Sequence, residues 1–346
     1  MKKALITGIT GQDGSYLSEY LLDKGYDVHG VVLRTELEDP SHKLVNIQPL
    51  AEKIRLHPGN IESQARISEI VNEVKPDECY HLAGQSFVHE SFDDSTPTFN
   101  ININGTLNVL SALHRTAPHC KFYFAGSSEM FGKAEESPQT EDTKFNPRSA
   151  YGISKMAGVH ITKCYKEEYG MFACSGILFN HESPRRGFEF VTRKISSTIA
   201  AIKNGKQNTL VLGNLDSKRD WGFAGDYVKA MWLMLQQNEP DSYVIATGKP
   251  HSIREFIDLA FKYADLKFEI IDLHELPREE ADNKVKELQT QNDRIFVVQH
   301  PKFYKPPETT LLTGDSSKAK AKLGWEPTMS FEELVKVMVE NDLNTV

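Results

Sequence analysis

The sequence has few cysteines, no long apolar run and no excess of basic residues. Its 346 residues include four cysteines without a C-x-x-C pair, which argues against a disulfide-rich scaffold and a zinc site, so no metal is expected. No apolar run is long enough to cross a membrane, and the N-terminal apolar stretch is too short for a signal peptide. We therefore expect a cytoplasmic protein with buried, reduced cysteines and no membrane partner.

Acidic residues outnumber basic ones by 48 to 40, which gives a formal net charge of -8. Non-specific binding of nucleic acids depends on a basic surface, so no nucleic-acid partner is expected. The hydrophobic fraction of 39% is enough to build a core, which excludes a disordered chain. At this length, one substantial core with a smaller appended lobe is the natural expectation.

Short β-rich runs alternate with amphipathic stretches over the first 180 residues. This alternation predicts an α/β fold with a doubly wound parallel sheet, the Rossmann arrangement. The predicted strands cover 3–7, 27–33, 54–57, 78–82, 121–125 and 172–178. The predicted helices cover 14–24, 63–74, 98–116 and 150–169.

The alternation is less regular beyond residue 180. The polar run 275–294 lacks an apolar period and is interpreted as an extended charged helix or a mobile segment. We expect residues 1–180 to form the first domain and residues 181–346 to form mainly a smaller C-terminal α/β lobe, with some segments returning to the first domain. Its predicted helices cover 191–204, 226–237, 253–263, 316–323 and 331–342, and its predicted strands 209–212, 242–246 and 268–271.

Three glycines follow the first predicted strand in a G-x-x-G-x-x-G pattern, at Gly8, Gly11 and Gly14. The first permits a tight turn, the second lets the backbone approach a pyrophosphate, and the third lets the next helix pack closely. The N-terminus of that helix presents amide donors to phosphates, so the motif predicts a dinucleotide site. The other residues of this loop that we assign to the site are Thr10, Gln12 and Asp13.

The end of the second predicted strand carries the signal for the type of dinucleotide. The first charged residue after it is Arg34, and an arginine there suits a 2′-phosphate, so NADP is favoured. Glu36 and Glu38 follow closely and weaken this inference.

Tyr151 and Lys155 lie four residues apart in a predicted helix, so both side chains emerge on one face. A lysine ammonium beside a phenol favours the tyrosinate, which can act as a base near neutral pH. Upstream, the strand at 121–125 ends just before Ser127 and Glu129. Because the carboxyl ends of parallel strands face the ligand crevice, these four side chains form the predicted catalytic set.

These residues resemble the extended short-chain dehydrogenase/reductase family and, within it, the GDP-mannose 4,6-dehydratases over nearly the whole chain. The block at 180–187 is more specific than the glycine motif, which many relatives share. The matching segments cover 5–17, 177–187, 190–195, 219–222, 244–248 and 322–325.

The resemblance implies conversion of GDP-mannose to its 4-keto-6-deoxy form, with a hydride passing to bound NADP and back. Tyr151 would take the proton of the 4-hydroxyl, and Ser127 would hydrogen-bond the 4-oxygen. Glu129 would remove the C5 proton, after which the 6-hydroxyl leaves as water. Lys155 would hold the nicotinamide ribose and tune Tyr151, and the cofactor would stay bound between the two transfers.

The resemblance also implies the remaining contacts and a homodimer or homotetramer. Arg185 is a further candidate for phosphate binding, because guanidinium groups match phosphate oxygens. The further cofactor residues that the resemblance implies are Asn60, Ile61, Leu82, Ala83, Gly84, Ser86, His181 and Arg186. The residues assigned to the GDP-sugar are Ser86, Ser127, Glu129, Asn180, Lys194, Arg219 and Glu308.

Three single positions and the loop at 35–40, which is acidic here instead of basic, depart from the family pattern. Ser127 replaces a threonine, Asn60 replaces an aspartate, and Lys305 replaces an arginine that binds the nucleoside. These changes leave open the same dehydration on a larger sugar, GDP-D-glycero-D-manno-heptose. A sugar-nucleotide 4-epimerase or 4-dehydrogenase is a further alternative, which Glu129 disfavours because neither reaction needs a carboxylate aimed at C5. The non-enzymatic alternative is an NADP-sensing protein, which the intact catalytic set disfavours.

Overall fold

A computed structural model describes residues 1–88, 90–305 and 311–345 of the chain. The strands are β1 Lys3–Thr7, β2 Asp27–Val32, β3 Ile54–Pro58, β4 Glu78–His81, β5 Lys121–Ala125, β6 Ala173–Leu178, β7 Asn180–Glu182, β8 Thr209–Leu212, β9 Lys218–Phe223, β10 Tyr243–Ile245, β11 Pro250–Ser252, β12 Glu269–Asp272 and β13 Phe296–Gln299.

The helices follow the strands through most of the chain. They are α1 Gln12–Asp23, α2 Arg34–Glu38, α3 Pro40–Lys43, α4 Gln64–Val74, α5 Glu90–Asp93, α6 Ser95–Phe99, α7 Gly105–Thr116, α8 Ala150–Tyr169, α9 Val191–Lys203, α10 Ala224–Leu235, α11 Ile253–Tyr263, α12 Arg278–Gln289, α13 Ser317–Leu323 and α14 Phe331–Thr345. A π-helical turn, Asn100–Asn104, joins α6 to α7, and a short 3-10 turn covers Ser128–Met130.

Seven strands form the central sheet, in the order β10-β6-β5-β4-β1-β2-β3. All of its pairs are parallel, so the predicted doubly wound parallel sheet is confirmed. The order reverses at β1, which pairs with β2 on one side and β4 on the other. In such sheets a ligand binds outside the carboxyl ends of the strands at this switch point.

Local sequence explains where the main elements begin and end. The residues of β4 and β6 are all buried, as expected for parallel strands covered by helices on both faces. Helix α8 begins after Ser149, whose Oγ accepts a hydrogen bond from Gly152 N at 3.0 Å, and ends at Gly170, which adopts the left-handed conformation that glycine tolerates best.

The chain divides into two compact units. The first contains Met1–His181, Gly222–Gly248 and Leu312–Thr328, and it holds the central sheet. The second contains Glu182–Trp221, Lys249–Leu311 and Met329–Val346. The functions that the sequence assigns to the two parts stay predictions.

The second unit has its own parallel sheet, in the order β12-β13-β8. Helix α12 lies within the polar run 275–294, so the helical interpretation of that run is correct for its central residues. The ion pair between Arg193 and Asp342 is buried in this unit, and Ser196 Oγ donates to the same carboxylate at 2.7 Å. The described strands β7, β9, β11 and β13 are absent from the sequence-based prediction.

Three further expectations concern the whole chain. Cys79, Cys120 and Cys174 are buried free thiols, whereas Cys164 is exposed, so the expectation of burial is wrong for Cys164. Within the described ranges, no group of three or more His, Cys, Asp or Glu residues is arranged to hold a metal ion. None of the helices described here combines the length and apolar character that crossing a membrane requires.

Candidate active site

The turn between β1 and α1 is built on two glycines that no larger residue replaces. Gly8 has φ +75°, and a Cβ there would lie 2.8 Å from Ala83 N, in the segment after β4. A Cβ on Gly14 would overlap Gly8 O and the backbone of Ile9. The two glycines therefore let α1 begin directly against the ends of β1 and β4.

The same turn fits the pyrophosphate of a dinucleotide. Gly11 is the N-cap residue of α1 and has no side chain that could accept a hydrogen bond from the first amide groups of the helix. A Cβ on Gly11 would meet only Gly8 O, at 3.4 Å, so the backbone here is open to a close approach. The amide groups of a 12-residue helix N-terminus suit a negatively charged ligand.

Lys155 and Tyr151 lie on one face of α8 and are both buried, with 6% and 9% of their surface exposed. Lys155 Nζ donates to Ala125 O at 2.9 Å and lies 5.8 Å from the centre of the Tyr151 ring. Burial lowers the pKa of Lys155 from 10.5 to about 8, against the opposite effect of the nearby Asp13 carboxylate. The helix thus brings an ammonium and a phenol together, as the spacing of four predicts.

Ser127 and Glu129 flank the start of the 3-10 turn that follows β5. Ser127 Oγ accepts a hydrogen bond from Glu129 N at 3.2 Å, and both side chains are half-buried. A Cβ on Gly152 would lie 2.6 Å from Glu129 O, so this glycine allows α8 to pack directly against the turn. The backbone that carries Ser127 and Glu129 is thereby held beside the N-terminal turn of α8, which carries Tyr151.

A chain of buried polar side chains links β1 to α8. Thr7 Oγ1 and His81 Nδ1 are 2.8 Å apart, and His81 Nε2 lies 3.1 Å from Thr106 Oγ1. Thr106 Oγ1 donates to Asn102 O at 2.6 Å, and Asn102 Nδ2 donates to Ser154 Oγ at 2.9 Å. Burial, followed by the charge of Lys155, lowers the pKa of His81 to about 3, so its ring stays neutral.

Asn102 was not among the residues singled out from the sequence. Its Oδ1 accepts from Gln85 N at 2.9 Å, and its Nδ2 donates to Gln85 O at 3.0 Å. It therefore holds the segment after β4 as well as α8. The π-helical turn around it disrupts the usual helical register, and an apolar period alone does not reveal such a turn.

Asp13 and His181 form a second connection within the first unit. His181 Nε2 lies 2.8 Å from Asp13 Oδ2, and Gln12 Nε2 donates to His181 O at 3.1 Å. The His181 ring stacks on Tyr227 with its centre 4.5 Å away. Three residues that the sequence assigns to the cofactor are thus joined, because Gln12 and Asp13 open α1 and His181 follows β6.

The other predicted cofactor residues of the first unit lie beside the carboxyl ends of its strands. Asn60 accepts from Glu62 N at 3.0 Å through its side chain. Arg34 is 88% exposed, and its Nε lies 3.4 Å from Glu38 Oε1. Leu82, Ala83, Gly84 and Ser86 follow β4, and Ile61 is buried after β3. Asn180, which the resemblance assigns to the GDP-sugar, begins β7.

The predicted phosphate ligands of the second unit have protein partners. Arg186 Nε lies 3.2 Å from Glu182 Oε2. Lys194 Nζ donates to Val211 O at 2.7 Å, and burial lowers its pKa. Arg219 Nη1 donates to Lys218 O at 2.7 Å. Arg185 N donates to Ser183 Oγ at 3.0 Å, and Glu308 lies outside the described residues.

Comparisons with known proteins identify the family. The family model described as GDP-mannose 4,6 dehydratase matches residues 5–338. The chain is 47% identical to the GDP-mannose 4,6 dehydratase of Cricetulus griseus, over 99% of this chain and 91% of the relative. It is 46% identical to that of Drosophila melanogaster, over 99% of this chain and 86% of the relative.

The fold is also found among solved structures of low sequence identity. The structure of RMD from Pseudomonas aeruginosa complexed with NADPH aligns with a TM-score of 0.79 and 22% identity, over the full length of both chains. The family model and the two relatives at 46–47% identity agree with each other. The chain belongs to the GDP-mannose 4,6-dehydratase family.

Proposed function

We propose that this protein removes water from GDP-mannose to give GDP-4-keto-6-deoxymannose, using a nicotinamide dinucleotide held at the glycine turn. The observation that carries the proposal is the packing of α8 against the Ser128–Met130 turn through Gly152. This packing sets the phenol of Tyr151 beside the turn that carries Glu129, while the Lys155 ammonium lies 5.8 Å from the phenol ring. Membership of the dehydratase family supports the same reaction.

Each catalytic side chain has a separate task in this proposal. Tyr151 takes the proton of the sugar's 4-hydroxyl, and Ser127 donates a hydrogen bond to the 4-oxygen. When bound, the nicotinamide supplies a hydride acceptor and donor, so the reaction needs no outside reductant. The 4-ketone acidifies C5–H, and Glu129 removes that proton and passes one to the departing 6-hydroxyl. Return of the hydride to C6, and of the proton that Tyr151 took from the 4-hydroxyl to C5, would complete the 4-keto-6-deoxy sugar.

Lys155 positions the nicotinamide ribose and promotes ionisation of Tyr151, but it does not itself react. Its ammonium is fixed by Ala125 O and favours the ionised form of Tyr151 through charge. Lys155 is also the residue that we assign to the nicotinamide ribose. In this proposal the first unit holds most of the cofactor, and Lys194 and Arg219 of the second unit bind the diphosphate of the GDP-sugar.

The choice between NAD and NADP depends on the residues after β2. The sequence-based prediction of NADP rests on Arg34, whereas Glu36 is a residue type that suits a free 2′-hydroxyl. The proposal of a dehydratase holds for either nucleotide.

Purified protein incubated with GDP-mannose and no added reductant tests the proposal. We expect a product that has lost one water, detected by mass spectrometry, and a keto group that borohydride reduces. GDP-manno-heptose run in parallel tests the larger sugar, and turnover of the heptose alone would transfer the assignment to that substrate. Formation of the C4 epimer without loss of water would contradict dehydratase chemistry.

A further inference from the structure

Glu36 lies where Rossmann-type sheets distinguish NAD from NADP. Strands β1 and β2 are parallel neighbours, with Thr7 paired to Val31. The glycine turn after β1 and the segment after β2 therefore share one edge of the sheet. In this fold the adenosine ribose binds there, where a carboxylate accepts from the 2′-hydroxyl of NAD and an arginine accommodates the 2′-phosphate of NADP.

Glu36 is fixed against the glycine turn by two hydrogen bonds. Thr10 Oγ1 donates to Glu36 Oε1 at 2.8 Å, and Leu33 N donates to Glu36 Oε2 at 2.7 Å. The side chain is half-buried. A carboxylate has about four lone-pair sites, and these contacts occupy two of them. The carboxylate therefore retains acceptor sites for ribose hydroxyls.

The side chain of Arg34, unlike that of Glu36, is not held at the glycine turn. Its side chain is 88% exposed, and its Nε lies 3.4 Å from Glu38 Oε1, so a carboxylate already compensates its charge. Asp39 follows and adds another negative charge. A 2′-phosphate bound at this edge would be repelled by the fixed carboxylate of Glu36, whereas Arg34, whose exposed pair with Glu38 is weak, is not held at the glycine turn.

We infer that Glu36 makes this protein select NAD over NADP, by accepting from the adenosine ribose and repelling a 2′-phosphate. The inference rests on the proposed function, because it assumes a nicotinamide dinucleotide at the glycine turn. It reverses the choice that Arg34 suggests in the sequence. The reason is that selection depends on which side chain is fixed at the turn, not on which charge comes first along the chain.

Fluorescence titration of the full-length protein with NADH and with NADPH tests the inference. We expect NADH to bind at least about tenfold more tightly, a difference of about 1.4 kcal/mol. Chromatography of the nucleotide released when the purified protein is denatured should show NAD or NADH. Glu36→Gln keeps the size of the side chain and removes its charge. It should therefore reduce the ratio of NADH affinity to NADPH affinity about tenfold.

Two further variants separate Glu36 from its neighbours. Asp39→Asn removes one negative charge from the same segment without contact to the glycine turn, and it should leave the preference within about threefold of the wild type. Arg34→Ala should do the same. Tighter wild-type binding of NADPH, or a tenfold loss of NADPH affinity in Arg34→Ala, would overturn the inference and leave the proposed dehydratase intact. Binding of neither nucleotide would instead contradict the proposed function.

Discussion

Asp13 and His181 are hydrogen-bonded through Oδ2 and Nε2 at 2.8 Å, although 168 positions separate them in the chain. The other ring nitrogen of His181 lies 2.8 Å from Phe179 O. With Asp13 ionised, both ring nitrogens donate, as in a protonated imidazole. The residues after β6 are thereby fastened to the first turn of α1, where the dinucleotide is proposed to bind.

Asp13→Asn should weaken cofactor binding about tenfold, or about 1.4 kcal/mol. The amide is the same size but replaces a charged hydrogen bond by a neutral one, so His181 is held less firmly beside the phosphate turn. Titration with NADH and NADPH measures the effect. Asp23→Asn, which removes an exposed carboxylate near the other end of α1, is the matched control. Equal affinities of wild type and Asp13→Asn would show that the pair does not support the site.

Glu129→Gln should separate the two halves of the proposed reaction. Oxidation at C4 depends on Tyr151 and Lys155, which are unchanged, but an amide cannot remove the C5 proton. We therefore expect single-turnover formation of reduced cofactor, seen by its absorbance, with product formation reduced about a thousandfold. Glu135→Gln, at an exposed position in the same connection, should behave as wild type. Normal release of water from Glu129→Gln would refute the role of this carboxylate.

The fold was predictable because its signals are local, whereas the polar connections of the site are not. The spacing of Gly8, Gly11 and Gly14 and the apolar runs of the first six strands each lie within a few residues. Asn102 and Ser154 are 52 positions apart. The contact of Glu36 with Thr10 exists only because β1 and β2 are neighbours. The sequence shows which charged residues follow β2, but only the fold shows which of them is fixed beside the proposed dinucleotide site.

Lys155→Met should abolish turnover and at the same time stabilise the fold at pH 7. Burial holds the pKa of Lys155 at about 8 against 10.5 in an unfolded chain. Between pH 8 and pH 10.5 the unfolded chain therefore binds more protons than the folded protein. The buried charge lowers the free energy of unfolding by its full amount below pH 8, and this loss disappears as the pH rises to 10.5. A shift of this size corresponds to about 3 kcal/mol.

Thermal unfolding of wild type and Lys155→Met between pH 7 and 10.5 tests this relationship. The variant should unfold at the higher temperature at pH 7, and the difference should shrink steadily above pH 8. Lys163→Met, at an exposed position of the same helix, should show no such trend. A variant that is less stable at pH 7 would mean that the hydrogen bond to Ala125 O outweighs the cost of burying the charge.

Asn102→Leu should destabilise the first unit by about 3 kcal/mol, because it leaves Gln85 N and O without their side-chain partner. It should also lower kcat more than it raises KM for the sugar nucleotide, since Ser154 and the adjacent Lys155 lose a fixed neighbour. Chemical unfolding and steady-state kinetics measure the two effects. Asn104→Leu is the control, because Asn104 is exposed in the same π-helical turn. Unchanged kinetics would limit Asn102 to a structural role.

His29 and His57 form a buried pair between β2 and β3, with Nδ1 and Nε2 2.9 Å apart. Burial lowers the pKa of both rings from 6.5, and for His57 the charge of His29 adds to the effect. The hydrogen bond needs one donor and one acceptor, so it cannot survive protonation of both rings. Asp27, 3.3 Å from His29, and Glu73, 3.9 Å from His57, favour the charged forms, while Arg55 opposes them.

The unfolded chain therefore takes up protons at these two positions before the folded protein does, and the free energy of unfolding should fall as the pH drops below about 6.5. His57→Gln retains a hydrogen-bonding side chain without the titration, so it should cost about 1 kcal/mol at pH 7.5 yet lose less stability by pH 5. Urea unfolding at several pH values compares it with His42→Gln, which changes an exposed histidine. Equal acid sensitivity in wild type, His57→Gln and His42→Gln would assign the loss to other groups, because only removal of a buried titrating ring should flatten the pH dependence.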